Sequence, residues 1–309
     1  MAFFCVFASR FRFLSASAVL PAAPILPRPL PLRLLDALLF SSLWLALAAA
    51  AQTAATLQLL PGGFGPVGRH VMGLVFAVTV LTYNLDAVLP FKHGQPVGTS
   101  GRKAWQQRHR WPLAALAAAA AAAGAALLLL DGWLHYLPLL LPLAALALGY
   151  SLPLLPWRGR WRAVREVPLL KVFLIAGVWS VVTVQLPALA LHQPLASLTG
   201  LLLQRFLLVS ALAIVFDIRD YSRDRLTHLH TMPVVLGLAG AKAVSLALLA
   251  GAVALGLGRG APPLAVLLPG ALAAWVIATA RDTRSDYFFA LIADGVLLVQ
   301  AAAYFLVRW

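Results

Sequence analysis

The sequence predicts an all-α fold, a polytopic membrane bundle of nine transmembrane helices. Three observations carry that expectation. Of the 309 residues 62% are hydrophobic and only 11% are charged, well outside the balance of a soluble domain. Nine apolar stretches are each long enough, at about 1.5 Å per residue, to cross roughly 30 Å of hydrocarbon. The charged residues gather in the short connections between those stretches, and the cations fall mainly on one side.

Residues 1–33 differ from the rest. Arg10, Arg12, Arg28 and Arg33 interrupt a weakly apolar stretch, and Pro21, Pro24, Pro27, Pro29 and Pro31 argue against a regular helix through its second half. A poor basic start and a broken apolar region do not make a signal peptide, so the segment reads as a cytoplasmic tail ahead of a membrane domain over 34–309. The expected spans are 34–58, 68–90, 112–130, 135–155, 168–190, 200–219, 233–257, 262–280 and 286–307. The run Ala117 to Ala123 is low in complexity, but alanine is a strong helix former that lets neighbouring helices approach.

The net charge of +14 could suggest nucleic acid. With the bases confined to loops, orientation and anionic lipid account for them better. Nineteen Lys or Arg fall on the side of the tail and of the connections after the second, fourth, sixth and eighth spans, against Arg69, Arg259 and Arg308 on the other. The positive-inside rule then puts the amino terminus in the cytoplasm and the carboxyl terminus across the membrane. Cys5 is the single cysteine, so no intramolecular disulfide or cysteine-ligated metal site is expected.

The candidate chemistry lies in the sixth connection, FDIRDYSRDRLTHLHTMPVVLG, Phe216 to Gly237. Three of the chain's ten carboxylates, Asp217, Asp220 and Asp224, stand within eight residues there, directly after the apolar run GLLLQRFLLVSALAIV. On one continuous helix they would share an arc of roughly 60° at about 100° per residue. Like charges so placed repel unless a cation intervenes, and magnesium suits them, since it takes a few carboxylate oxygens and completes its shell with water and phosphate. The alternative is a solvated helix end in which Arg219, Arg223 and Arg225 neutralise the acids, with Asp220 and Arg223 spaced to pair.

This stretch resembles the second aspartate motif of the UbiA-type intramembrane prenyltransferases, D-x-x-D-x-x-x-D followed by a Gly and T-L-P-V-x-L-G. Thr231, Met232, Pro233, Val234, Leu236 and Gly237 supply the tail, and His228 stands at the usual glycine. The family's first motif, N-D-x-x-D-x-x-x-D, corresponds to LTYNLDAVLPFK at the end of the second span. Asn84 matches, but Leu85, Val88 and Lys92 occupy the acid positions, and Asp86 is out of step by one. Either Asn84 and Asp86 still hold one metal, with Lys92 neutralising phosphate, or the first site is lost and the bundle binds without turnover. Alternatively, Asn84 and Asp86 form an ordinary helix terminus ended by Pro90. TSGRKAWQQRHRW resembles the basic connection that covers the family's site; as sequence it is a basic interfacial segment with Trp105 and Trp111 at headgroup level. GYSLPLLP and PLLKVFLIAGVWS are similar to the Y-S-x-P element and the lysine-led fifth helix, with Tyr150, Ser151 and Lys171 at the matching positions.

The resemblance implies a central cavity open toward the cytoplasmic leaflet of a bacterial inner membrane. In it Asp217, Asp220 and Asp224 would hold Mg2+ on a polyprenyl diphosphate, assisted by Lys92, Lys171, Arg219 and Arg223. Tyr150, Ser151 and Asp294 would face a lipophilic acceptor, typically an aromatic ring. The competing expectation is a UbiA-like protein that binds or transports an isoprenoid lipid without catalysis.

Asp294 lies about 12 Å into the last span by helical rise, so it must face the bundle interior, toward an acceptor or a hydrogen-bonding helix. Gln204 and Arg205 near the far end of the sixth span are expected to snorkel, Lys242 to return to the cytoplasmic surface, and Arg158, Arg160 and Arg162 to meet lipid headgroups. His228 and His230 read as loop residues. The sequence contains no Walker-type or H-E-x-x-H pattern.

Overall fold

A computed structural model describes residues 29–88, 100–149, 153–157, 160–163, 170–227 and 229–307. The chain begins with α1, Leu30–Phe40, and α2, Leu43–Leu57, bent 57° to one another. Pro31 sits in the first turn of α1, where its missing N–H costs nothing, so the helix starts before residue 34. The bend lies at Ser42, which adopts φ 62°. Carbonyls freed there would be orphaned in an apolar medium. Asn84 Nδ2 donates to Ser41 O at 2.8 Å, and Gln106 Nε2 to Phe40 O at 3.0 Å.

The helices α3, Pro66–Val88, α4, Gly101–Arg108, and α5, Arg110–Leu130, follow, then α6, Leu137–Gly149. The expected fourth span to residue 155 is too long: beyond α6 the chain forms an antiparallel hairpin of β1, Pro153–Trp157, and β2, Arg160–Ala163, with Trp157 paired to Arg160. Then come α7, Leu170–Ser180, a π-helical turn over Val181–Gln185, and α8, Leu186–Ala190. After these are α9, Thr199–Arg219, the short α10, Tyr221–Leu226, α11, Met232–Gly258, and α12, Pro263–Thr279. A second π segment, Phe288–Ala293, leads into α13, Asp294–Leu306.

Among the described residues six helical stretches are long and apolar enough to cross a membrane: Pro66–Val88, Arg110–Leu130, Leu170–Ala190, Leu195–Arg219, Met232–Gly258 and Phe288–Leu306. The bent α1–α2 pair makes a seventh if it counts as one span. Leu137–Leu146 and Pro263–Thr279 are apolar but shorter. The protein is therefore an integral membrane bundle.

α2 packs on α3 and α13, α13 on α12, α12 on α11, α11 on α9, and α9 on α7, while α8 returns to α3, so the helices close a ring. Close approach of α9 and α11 needs Gly256, where a Cβ would stand 2.5 Å from Gln204 Nε2. At Gly237 a φ of 73° breaks α11 near its start.

A polar network ties the ring at the end away from the aspartates. Arg205 is 2% exposed, and its Nη1 donates to Thr183 Oγ1 at 3.1 Å and to Gln52 O at 3.4 Å. Gln52 Nε2 bridges to Leu297 O at 2.6 Å and Gln300 Oε1 at 3.0 Å, and Gln204 Oε1 accepts from Arg259 at 3.0 Å. Snorkelling does not describe Arg205 or Gln204: both are buried, because these partners offer a closer set of dipoles than the lipid surface. Replacing Gln52 by Ala removes the α2–α13 bridge and leaves buried groups unpaired, so thermal unfolding in detergent should show a loss of about 1–3 kcal/mol.

Candidate active site at the cavity mouth

The ring encloses a cavity of about 1090 Å³. Its depth is apolar, with Leu74, Val178, Trp179, Leu186, Val209 and Leu212 among its walls. Its mouth is polar and is assembled from the ends of α3, α7 and α9 with α4, α10 and the segment that leads into α13. Cations and acids alternate around this rim.

The three aspartates do not share one continuous helix. α9 ends at Arg219, Asp220 takes φ −89° and ψ 2° as its C-cap, and α10 starts at Tyr221. The break turns the acids toward different partners. Asp217, 1% exposed, accepts from Lys171 Nζ at 2.6 Å. Asp220 lines the cavity and receives the Arg219 fork at 3.3 and 3.1 Å, with Arg223 Nη2 at 3.3 Å. Asp224, 2% exposed, meets Arg223 at 3.3 Å and is absent from the cavity wall. Among the described residues no group of three or more His, Cys, Asp or Glu side chains is placed to hold a metal ion. The three acids lie in a file in which each meets a cation, Asp220 and Asp224 sharing Arg223. Arg219 is itself held near aromatic rings, its Cζ 5.3 Å from the Phe216 centroid and 5.8 Å from that of Phe289.

Burial works against the charged form of Asp220, but Arg219 and Arg223 outweigh it and hold the carboxyl down to about 2. Asp224 moves the other way, raised by burial and then by Asp220. Asp220 therefore stays ionised at any physiological pH and presents hard oxygen donors to the cavity.

Of the first-motif residues, Asn84 is 1% exposed and lies off the cavity, its amide N–H groups engaged by Ser41 O and Val80 O. It closes the α1–α2 bend, which corrects its expected role as a metal ligand. Asp86 is on the cavity wall, as is Leu85 beside it. Asp294 also lines the cavity, and among the described residues its side chain takes part in no hydrogen bond or ion pair, so the expected bond to another helix is not formed there. Lys171 and Arg223 line the rim as expected. Lys242 Nζ donates to Ala278 O at 2.7 Å near the end of α12, toward the aspartate end of the bundle. Lys92, Tyr150, Ser151 and His228 lie outside the described residues.

Two rim residues escape sequence reasoning. Arg102 faces the cavity from the first turn of α4, and Asp286 fixes that turn, accepting from Arg102 N at 3.0 Å and Ser100 Oγ at 3.2 Å. Tyr287 donates to Asp36, and Ser222 to Asp282, so the segment before α13 is tied to both α1 and α10.

Two outcomes follow from these pairs. Lys171→Met strands the Asp217 charge and should destabilise the protein by about 3–5 kcal/mol, while adding Asp217→Leu should recover most of the loss; thermal unfolding of both variants checks this. The Asp220 carboxyl is depressed from 3.8 to about 2, so its stabilising contribution is fully present above pH 4 and disappears as pH falls toward 2. The stability gap between wild type and Asp220→Asn, followed by tryptophan fluorescence, should shrink over that window.

No family model matches the chain, and no curated protein matches it by sequence. The apo structure of a UbiA homologue from Aeropyrum pernix K1 is similar to it, with a TM-score of 0.57 at 22% sequence identity over 85% of this chain and 97% of the other. The ring of helices around a polar-mouthed cavity is the UbiA fold.

Proposed function

We propose that this protein is a magnesium-dependent integral membrane prenyltransferase, moving a polyprenyl group from its diphosphate to an aromatic or other lipophilic acceptor. The observation that supports this best is a single one: Asp220, ionised and flanked by Arg219 and Arg223, stands at the polar mouth of a deep apolar cavity inside a membrane bundle. That combination suits a ligand with a multiply charged head and a greasy tail.

The donor set fits one magnesium ion at the second motif. A magnesium site needs only one or two carboxylates when phosphate and water complete the shell, and Asp220 offers such oxygens, with Asp217 and Asp224 beneath and beside it. Magnesium bound there would supply neutralisation of the departing diphosphate oxygens. The chain's own groups do the rest. Arg219 and Arg223 bind the phosphate oxygens as forks, with Lys171 as a point charge and Lys92 as a further candidate. The apolar wall lays the tail along the cavity and excludes water from the allylic cation. The C–O bond breaks with its electron pair leaving on the diphosphate, the acceptor ring supplies electrons for the new C–C bond, and the ring then loses a proton. Asp294, with Tyr150 and Ser151 by resemblance, is assigned to the acceptor side.

In this reading the aspartate end faces the cytoplasm, where isoprenoid diphosphates are made, the bundle crosses a bacterial inner membrane nine times, and the amino terminus is cytoplasmic. The two shorter apolar helices then complete the count, α12 reaching about 26 Å by helical rise.

A second reading, a binder or carrier of isoprenoid lipids without turnover, is favoured by one feature. Asn84 is locked to backbone carbonyls and Leu85 stands where the family's first motif has an acid. Purified protein with magnesium and an allylic diphosphate should release pyrophosphate in the presence of acceptor-containing lipid extract, and Asp220→Asn with Asp224→Asn should lower the rate by at least about 100-fold. If wild type and variant are both silent while both retain the lipid, the binder reading replaces the enzyme.

A further inference from the structure

The first-motif region of the rim lacks the means to bind a metal. Leu85 and Val88 replace acids, Asn84 is off the cavity with both amide hydrogens donated to carbonyls, and Asp86 is the one carboxylate of α3 on the wall. Asp220 has Asp217 and Asp224 within four residues of it, whereas α3 offers Asp86 alone, so a dication shared with phosphate belongs on the Asp220 side. Among the described residues, positive charge reaches this sector of the rim from α4, through Arg102 and its neighbour Lys103.

Arg102 enters the rim from α4. Its backbone N–H is pinned to Asp286, and Ser100 caps the helix by accepting from Lys103 N at 3.4 Å while also holding Asp286. Its side chain is half-buried on the cavity wall, and among the described residues its guanidinium makes a single hydrogen bond, from Nη2 to Ser42 Oγ at 3.3 Å, and no ion pair. An arginine carries five donors in a planar fork, so most of this fork is left for a ligand. Burial, and after it the charge of Arg219, lowers the pKa of Arg102, with Asp294 and Asp286 opposing. Arg102 and Arg219 thus line one cavity mouth, Arg219 already paired with Asp220 and Arg102 without an ion pair among the described residues.

We infer that Arg102 replaces the family's first metal, so that the rim binds a diphosphate between Arg102 and Arg219 with at most one divalent ion, held on the Asp220 side. This rests on the diphosphate reading above for its ligand class, but it concerns how the charge is neutralised and not whether transfer follows.

The probe is inorganic pyrophosphate, titrated calorimetrically into the full-length protein in detergent micelles. Binding should be measurable in EDTA, weaken about tenfold in Arg102→Gln, and recover in part in Arg102→Lys. With magnesium present, equilibrium dialysis and elemental analysis should find one metal taken up per bound pyrophosphate, and Asp220→Asn should remove that uptake while Arg102→Gln keeps it. The wild-type stoichiometry does not depend on whether any variant folds, and monodisperse elution checks the variants. Two magnesium ions per pyrophosphate in wild type, loss of all binding in EDTA, or wild-type affinity in a folded Arg102→Gln would each overturn the inference. Prenyl transfer with two metals leaves the enzyme reading intact and ends this one; Arg102-dependent pyrophosphate binding without transfer does the reverse.

Discussion

The ion pair between Lys171 on α7 and Asp217 on α9 is the constraint on which the cavity mouth depends. Both groups lie where hydrocarbon gives way to the rim, and Asp217 is 1% exposed. A bare carboxylate there would be prohibitively costly, so α7 and α9 must stay within reach of one another. Fixing that approach decides where α9 can end. Two residues later it stops at Arg219, and the side chains around the stop bring bases and acids to the rim. The electrostatic character of the mouth is therefore a consequence of one helix-to-helix distance and one helix terminus.

Backbone accounting explains the opposite side of the rim. The bend between α1 and α2 brings α1 toward α4 and the segment before α13, and it frees carbonyls in an apolar setting. Asn84 and Gln106 satisfy them. So fixed, Asn84 is buried and lies off the cavity wall. In this chain the position kept from the resembling motif has a structural duty.

How much of this was legible follows the range of the interactions. The membrane class, the apolar stretches and the interior placement of Asp294 are properties of local composition and helical rise, and they carried over into the fold. The pairing of Asp220 with Arg223 was also visible in the spacing, as one of two open readings. The break at Asp220 was not, because DIRDYSRDR is as good a continuous helix as an interrupted one until Lys171 and the rim cations compete for its acids. Arg102 looked like one more headgroup arginine, since its meaning comes from Asp286, 184 residues away. Arg205 misled for the same reason: snorkelling is the local answer, and Thr183 and Gln52 are distant in sequence. The hairpin after α6 carried no alternation that would have set it apart from a helix end.

The two ends of the bundle treat buried cations in opposite ways, and the contrast bears on function. Arg205 is surrounded by a hydroxyl, a carbonyl and amides, neutral dipoles that belong to the helices themselves and cannot leave. Such a cation is a fixture: it locks α2, the π-helical turn and α9 together. At the mouth, Arg219 and Arg223 face ionised carboxylates on a wall open to the cavity, and their mutual attraction is weakened by exposure and divided among several partners. A pair of that kind can exchange its partner when a more highly charged anion arrives, because neither partner is fixed to the other by the fold. The same type of side chain thus serves as a rivet where its partners are dipoles of the fold and as a receptor where they are charges that can be redistributed. Only the second arrangement suits chemistry in which charge must be gathered at one end of a greasy substrate.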